Sequence, residues 1–223
     1  MRKRLILAAV AVMAVTFVIE ARAPQGADPD KKVKGSGLPP GWQARLDYAS
    51  ARIDDLKFAA AGAGFRATTG PAGIFYQASR TFSGPMSVSA TFTQVKPSDH
   101  PEAYGLFIGG SDLQGPNQKY TYFLIRQDGW FLVKRRAGGS TPTLINWTDH
   151  AAIRRADASG KMTNALAISV DQQKARFLVN TTEVASLPLS QVDSAGIAGL
   201  RVNHNLDVQI DGLAFKPDSA TGR

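Results

Sequence analysis

Beyond residue 23 the chain carries only two glutamates, Glu102 and Glu183. Hydrolysis of a glycosidic bond takes two carboxyl groups set about 5–9.5 Å apart across it, one protonated and one ionised. Asp207 and Asp211 share one face of an alternating segment, but a four-residue offset separates them by roughly 13 Å along a strand. That is too far for a retaining pair and long for an inverting one. No Glu-x-Asp-x-x-Glu run occurs that would line three acids along one strand face. No catalytic residue is therefore assigned from spacing, and Asp207 and Asp211 read as the polar side of an amphipathic strand.

Histidine offers the next chemistry. His100 lies near Glu102 and Tyr104, His150 follows Trp147 and Asp149, and His204 sits between Asn203 and Asn205. His100, Glu102, Asp149, His150 and His204 form a candidate polar loop cluster, whose plain role is to hydrogen-bond loop backbone and fix turns. No two histidines have the local spacing of metal ligands, and zero cysteines remove thiolate sites, disulfides and a thiol nucleophile. No metal and no cofactor are expected. Calcium is the weak alternative: its oxygen donors are present, yet no Asp-x-Asp-x-Asp-Gly loop arranges them. A Gly-x-Ser-x-Gly elbow and a phosphate-cradling glycine loop are also absent.

The strongest ligand surface is the segment Tyr120–Arg136. If Asp128-Gly129 closes a two-residue hairpin turn, one face carries Tyr120, Tyr122, Leu124 and Arg126 opposite Phe131, Val133 and Arg135. The other face then holds Phe123, Ile125, Trp130 and Leu132. Aromatic rings stack on the C–H faces of sugars while arginines hydrogen-bond hydroxyls, the usual pairing of apolar walls with a few fixed polar groups. Tyr120, Tyr122, Arg126, Trp130, Arg135 and Trp147 are the candidate contacts. The competing reading buries the tyrosines in a sandwich core, with their hydroxyls at the rim and the arginines snorkelling outward.

The elements that position these residues have a period of two. Met86, Val88, Ala90 and Phe92 alternate with Ser and Thr; Leu166, Ile168 and Val170 alternate with Ala and Ser; Leu206, Val208 and Ile210 alternate with polar groups. Asp171–Lys174 is the expected turn of a second hairpin joining 164–170 to 175–180. Helix signals are thin: 148–157 predicts about two turns behind a Thr or Asp cap, and 43–60 a further short turn. Many short strands with glycine-marked turns predict an all-β sandwich of two antiparallel sheets, with few short helices.

The chain has 223 residues and a formal charge of +8, compatible with one domain. Arg2, Lys3 and Arg4, the apolar run Leu5–Ile19 and Ala21-Arg22-Ala23 read as a signal peptide over 1–23. Pro24 would follow the scissile bond and hinder a peptidase, so an uncleaved anchor is the alternative, and the only expected membrane contact. Residues 24–40, with four prolines and three glycines, predict a flexible linker. The folded domain is expected at 41–217 and a frayed tail at 218–223. A periplasmic or secreted location follows. On the folded part basic runs are confined to 134–136 and 154–155, too short for a nucleic-acid surface.

Three stretches together resemble a known family: Tyr120–Arg136 (YTYFLIRQDGWFLVKRR), Asn164–Val170 (NALAISV) with Phe177–Asn180 (FLVN), and Gly196–Val208 (GIAGLRVNHNLDV). They resemble the concanavalin-A-like jelly rolls, including laminin-G-like domains and the 3-keto-disaccharide hydrolase type of bacterial secreted domain. The resemblance spans roughly 80–215 and departs from the pattern where Asn180 is followed by Thr181 instead of glycine. It implies two packed antiparallel sheets, one of them often concave, and carries over no catalytic residue. The expected function is an exported, non-catalytic carbohydrate-binding protein with a glycan as partner. The alternatives are a glycan-acting hydrolase of the 3-keto-disaccharide type, and a structural domain contacting another envelope component.

Overall fold

The computed structural model describes residues 28–35 and 37–217. The signal segment at 1–23 and the tail at 218–223 lie outside the described residues. Among the described residues fourteen strands follow one another with only two single 3-10 turns between them. They begin β1 (Gln43–Leu46), β2 (Leu56–Ala61), β3 (Gly64–Thr69), β4 (Gly73–Phe82) and β5 (Met86–Gln94). The middle of the chain gives β6 (Ala103–Ser111), β7 (Lys119–Arg126), β8 (Trp130–Ala137), β9 (Thr143–Asp149) and β10 (Met162–Val170). The last are β11 (Lys174–Val179), β12 (Thr182–Pro188), β13 (Gly196–Val202) and β14 (Asp207–Pro217).

The strands form two seven-stranded antiparallel sheets. The front sheet runs β1-β4-β13-β6-β7-β8-β9, the back sheet β12-β11-β10-β5-β14-β3-β2. Alternate residues of each meet in a common core. Tyr104, Leu106, Phe123, Ile125 and Phe131 point inward from the front; Phe92, Leu166, Ile168, Phe177 and Ile210 meet them from the back. Phe92 stacks on Tyr104 with centroids 5.5 Å apart, and Phe123 meets Phe177 at 5.3 Å. Each such side chain contributes about 1.5–3 kcal/mol on leaving water, which is what joins the sheets.

The second hairpin forms as predicted, β10 pairing with β11 from Leu166 opposite Val179 to Val170 opposite Ala175. The first needs a correction. Ile125 pairs with Phe131, so the loop has three residues, Gln127, Asp128 and Gly129, and Gly129 alone among them takes a positive φ, of 92°. A three-residue loop shifts the register by one relative to a two-residue turn, and a one-residue shift turns every side chain of the second strand to the other face. Tyr120, Tyr122 and Leu124 therefore sit opposite Arg136, Lys134 and Leu132. Trp130 joins the tyrosine face, and Arg135 leaves it.

The helix expected over 148–157 is absent. Asp149 still pairs with Trp130 as strand, and Asn164 takes the backbone beyond it. Its Oδ1 accepts from Arg154 N at 2.9 Å and its Nδ2 donates to Arg154 O at 3.0 Å. Asn180 adds a bond to Ala152 O at 2.8 Å, so side-chain amides claim groups that a helix needs. The short turn expected within 43–60 is the 3-10 turn Ile53–Asp55.

Residues 28–35 fall in the stretch expected to be a flexible linker, and here they are docked. Lys31 N donates to Asn205 Oδ1 at 2.7 Å, Asn205 Nδ2 to Pro29 O at 3.1 Å, and Gly35 N to Asp54 O at 2.8 Å.

Candidate functional site

The outer face of the front sheet is where the large side chains collect. Ile74, Tyr76, Phe107, Tyr120, Tyr122 and Leu124 form a second apolar cluster on the side of the sheet away from the core. The rings close over one another: Phe107 lies 5.3 Å from Tyr120, and Tyr120 5.6 Å from Tyr122. Tyr120 and Tyr122 are only 3% and 6% exposed, and burial pushes both hydroxyls above the ordinary tyrosine range. They form a floor beneath a polar layer.

Arg201, on β13, supplies the centre of that layer. Its guanidinium carbon stands 5.1 Å over the Tyr122 ring, and its two terminal nitrogens hold both Asp47 oxygens at 2.9 and 2.7 Å. Burial by itself raises the Asp47 pKa, but the hydrogen bonds and charge of Arg201 outweigh it and hold the carboxyl below its usual range. Arg201 is 8% exposed, and its Nε has no hydrogen-bond partner; neither does the buried Nε of Arg136 or Oδ1 of Asn203.

Two open features flank this centre at the same ends of the strands. Toward β9, the Arg126 guanidinium lies 4.5 Å from the Trp147 ring and 5.5 Å from that of Trp130, with its Nε on Asp128 at 2.7 Å. Both tryptophans are half-buried, which leaves ring area toward solvent. Toward β4, a cleft of about 440 Å³ is lined by Asp47, Tyr48, Glu102, Arg201, Asn203 and His204, with Asp28 and Asp30 from the docked segment. Tyr48, 65% exposed, stands at its rim. Two to four strand spacings, about 10–20 Å, separate the cleft from the tryptophans.

In the cleft wall, His204 Nε2 lies 2.9 Å from Glu102 Oε1 and Nδ1 lies 3.1 Å from Asp30 Oδ1. Carboxylates only accept, so the doubly protonated ring is the form that makes both bonds. Partial burial pulls the His204 pKa down; the charge and hydrogen bond of Glu102, joined by Asp30 and Asp28, raise it overall above the ordinary histidine value.

The candidate residues thus divide. Tyr120, Tyr122, Arg126, Trp130 and Trp147 share the outer face. Arg135 lies on the opposite side of β8, its guanidinium bound to Asp193 at 2.7 and 2.9 Å. The histidine cluster splits: His100, Glu102 and His204 gather near the cleft, His100 lying 3.9 Å from Asp28. Asp149 pairs elsewhere with Arg155 at 2.6 Å, and His150 Nδ1 accepts from Ala152 N at 3.1 Å. Asp207 is clasped by Arg66 at 2.8 and 2.9 Å. Among the described residues no group of three or more His, Asp or Glu side chains is arranged to hold a metal ion. Sequence reasoning missed Asp47 and the two aspartates of the docked segment, and met Arg201 and Asn203 only as neighbours of His204. Arg201 left a signal, a charge between Leu200 and Val202 in a strand; Asp47, 154 positions away, left none.

No family model matches the sequence, and no curated protein does. Among solved structures, carbohydrate binding module CBM66 from Bacillus subtilis is similar with a TM-score of 0.56 at 12% identity, over 82% of this chain and 98% of that one. A mixed linkage glucan GH16 protein of Bacteroides ovatus, in complex with a product, gives 0.55 at 8% identity, over 78% and 94%. A glycoside hydrolase family 16 endo-glucanase of the same organism gives 0.55 at 9% identity over the same shares. With the two-sheet architecture, these likenesses establish the fold as a concanavalin-A-like jelly roll.

Proposed function

We propose that the protein is an exported, non-catalytic glycan-binding β-sandwich, periplasmic or secreted, whose ligand lies across the outer face of the front sheet. One observation carries this reading: a solvent-side layer of closely packed tyrosines bears half-buried arginine and asparagine side chains, beside two half-open tryptophan rings. Sugar hydroxyls both donate and accept, and sugar C–H faces stack on rings, so the two halves of that layer suit the two halves of such a ligand. Similar folds whose names include a carbohydrate binding module and glucan-acting enzymes support the choice of ligand.

The engagement of the acids supports binding without catalysis: in the cleft Asp47 is closed on Arg201 and Asp30 on His204. Glu102 is engaged by His204 and Asn203, whereas Glu183 lies on β12 of the other sheet beside Arg176. Asp207 is held by Arg66. The basic head, apolar run and Ala-Arg-Ala site support export. Mass spectrometry of the protein recovered from producing cells checks that part: loss of residues 1–23 is expected, and an intact amino terminus means the anchor reading is right instead.

The binding test is a thermal-shift screen of the full chain against glycans, with and without calcium. A ligand at one hundred times its Kd adds about 2.7 kcal/mol, so a clear rise in Tm is expected for at least one glycan at millimolar concentration. Arg126→Ala with Trp147→Ala should weaken that ligand at least about tenfold, roughly 1.4 kcal/mol, while melting stays cooperative. If no glycan moves Tm, or the double variant responds like the parent, the reading fails.

A further inference from the structure

We propose that His204 latches residues 28–35 against the front sheet as one wall of the cleft, and thereby makes glycan binding there depend on pH. The ligand part rests on the glycan reading above; the latch itself does not.

The docked segment contributes Asp28 and Asp30 to the cleft lining, yet about 440 Å³ stays open beside them, so the segment is a wall and not a plug. Few bonds hold it. Two backbone groups of the segment and, at 3.3 Å, the Asp28 carboxylate bind the Asn205 side chain, Gly35 N binds Asp54 O, and the Lys31–Asp99 pair at 2.7 Å joins side chains 50% and 69% exposed. An ion pair that open to water adds little. A short segment with so few buried contacts opens locally at low cost, and one interaction then decides its position. Asp30 on the His204 ring is that interaction, and its tie to Glu102 roots it in the fold.

The charged groups around the ring define what titration does. Glu102 faces Nε2 and Asp30 faces Nδ1; Asp28 lies 3.8 Å from Nε2 and also faces His100. Across the cleft, Arg201 is already closed on Asp47, and Lys31 is turned to Asp99. Three carboxylates thus surround one imidazolium. When the ring loses a proton, one nitrogen presents a lone pair to a carboxylate and that bond is lost. Glu102, 18% exposed and bound also by Asn203, has less access to water than Asp30 at 38%. The remaining proton therefore stays on the Glu102 side and Asp30 is the partner released. Because the folded pKa is raised, the latch is complete below the ordinary histidine pKa of about 6.5 and is lost as pH rises through the folded value.

The absence of cysteine makes the test direct. Lys34→Cys in the full chain, labelled with a small fluorophore, reports the freedom of the segment by anisotropy at pH 5.5 and 9. High anisotropy at pH 5.5 and a fall at pH 9 are expected, with the docked-to-free ratio changing by up to about tenfold per pH unit across the titration. His204→Gln, which cannot donate from two sides as the imidazolium does, should leave the label free at both values. Asp30→Asn, whose amide can donate to the neutral ring, should keep it docked at both. Equal anisotropy of the unsubstituted-latch protein at the two pH values, or a pH response surviving His204→Gln, overturns the latch. Glycan affinity should fall in step with undocking; an affinity unchanged while the segment opens overturns its role as a wall. A segment that titrates in a protein binding no glycan at either pH refutes the glycan reading alone.

Discussion

The outer faces of the two sheets obey the same alternation and end in opposite surfaces. On the back sheet, Ser87, Ser89, Thr91 and Thr93 of β5 lie opposite Ser169, Ala167, Ala165 and Thr163 of β10. Burial switches on and off residue by residue along β5, the normal pattern of an antiparallel sheet with one wet side. Front strands β6 and β7 are buried at nearly every position, although among the described residues no third layer of secondary structure covers them. What shields their outer side is their own tyrosines, with Arg201 and Asp47 above and Gln114 bonding the Tyr76 hydroxyl at 2.7 Å. The difference teaches where to look for function. The back sheet closes its outer side with small residues alone, so the large rings and the Arg201–Asp47 pair of the front face mark it as the surface that the proposed glycan would contact.

If that contrast is right, substitutions should be costly in front and mild behind. The largest effect is expected at Asp47→Ala, which strands the Arg201 charge in a site 8% exposed; the Asp47 side chain is 26% exposed, so the cost should fall toward the low end of the about 3–5 kcal/mol for breaking a buried pair. The double change Asp47→Leu with Arg201→Met removes both charges and should recover most of that loss. The back sheet has its own clasp, Arg66 on Asp207, but Arg66 is 47% exposed and Lys96 lies 3.5 Å from the same carboxylate. Arg66→Ala should therefore cost only about 1 kcal/mol. Urea denaturation decides it, and equal losses for the two clasps would break the comparison. Acid adds a check with a definite sign. The Asp47 pKa is depressed, so its contribution is complete above the ordinary carboxylate value of about 3.9 and disappears as pH falls through the lowered one.

Next in size is the pair Tyr122→Ala and Thr91→Ala, one from each outer face. Tyr122 is packed among Tyr120, Phe107 and the Arg201 guanidinium, and truncation should cost about 3 kcal/mol. Thr91 faces solvent beside Ala165, and its loss should stay within about 0.5 kcal/mol. Midpoints that move by similar amounts at constant slope would erase the distinction between a packed and a bare surface.

How much of this was legible in the sequence follows from the range over which each feature is determined. Alternation is local, so the strands, the sandwich and the β10–β11 turn were readable from Leu166, Ile168 and Val170. The faces of the Tyr120–Arg136 hairpin depended on one loop residue: Asp128-Gly129 fits both a two-residue and a three-residue connection, and the choice reversed Trp130 and Arg135. The 148–157 helix failed because Asn164 and Asn180, distant in sequence, bind its backbone. The cleft was least visible. It is assembled from residues 28, 30, 47, 102, 201, 203 and 204, and no short-range pattern announces that Asp47 meets Arg201 or that Asp30 meets His204. Tyr120, Tyr122 and Arg126 were chosen for residue type; their shared face came from alternation and their burial from a layer that alternation does not describe.

The smallest expected effect sharpens the comparison at the plain end of the molecule. Val179 pairs with Thr182, so Asn180 and Thr181 form a two-residue turn, and both take a positive φ, of 49° and 70°. Asparagine tolerates that conformation, and here its side chain is used: Nδ2 donates to Ala152 O and Asn164 Oδ1, and Oδ1 accepts from Ala165 N. Thr181 is β-branched, and a left-handed conformation costs such a residue roughly 1–2 kcal/mol. Glycine at that position removes the strain but adds up to about 1 kcal/mol of unfolded-chain entropy, so Thr181→Gly should stabilise by about 0.5–1 kcal/mol. Asn180→Gly relaxes the backbone in the same way yet deletes three hydrogen bonds, and should destabilise. Opposite signs at adjacent positions, read from thermal melts, would show that the back sheet holds ordinary turn strain with no ligand to explain it. Two changes of the same sign would mean that Asn180 acts only through its backbone, and that the amide bridge to Asn164 contributes nothing to fixing 150–156.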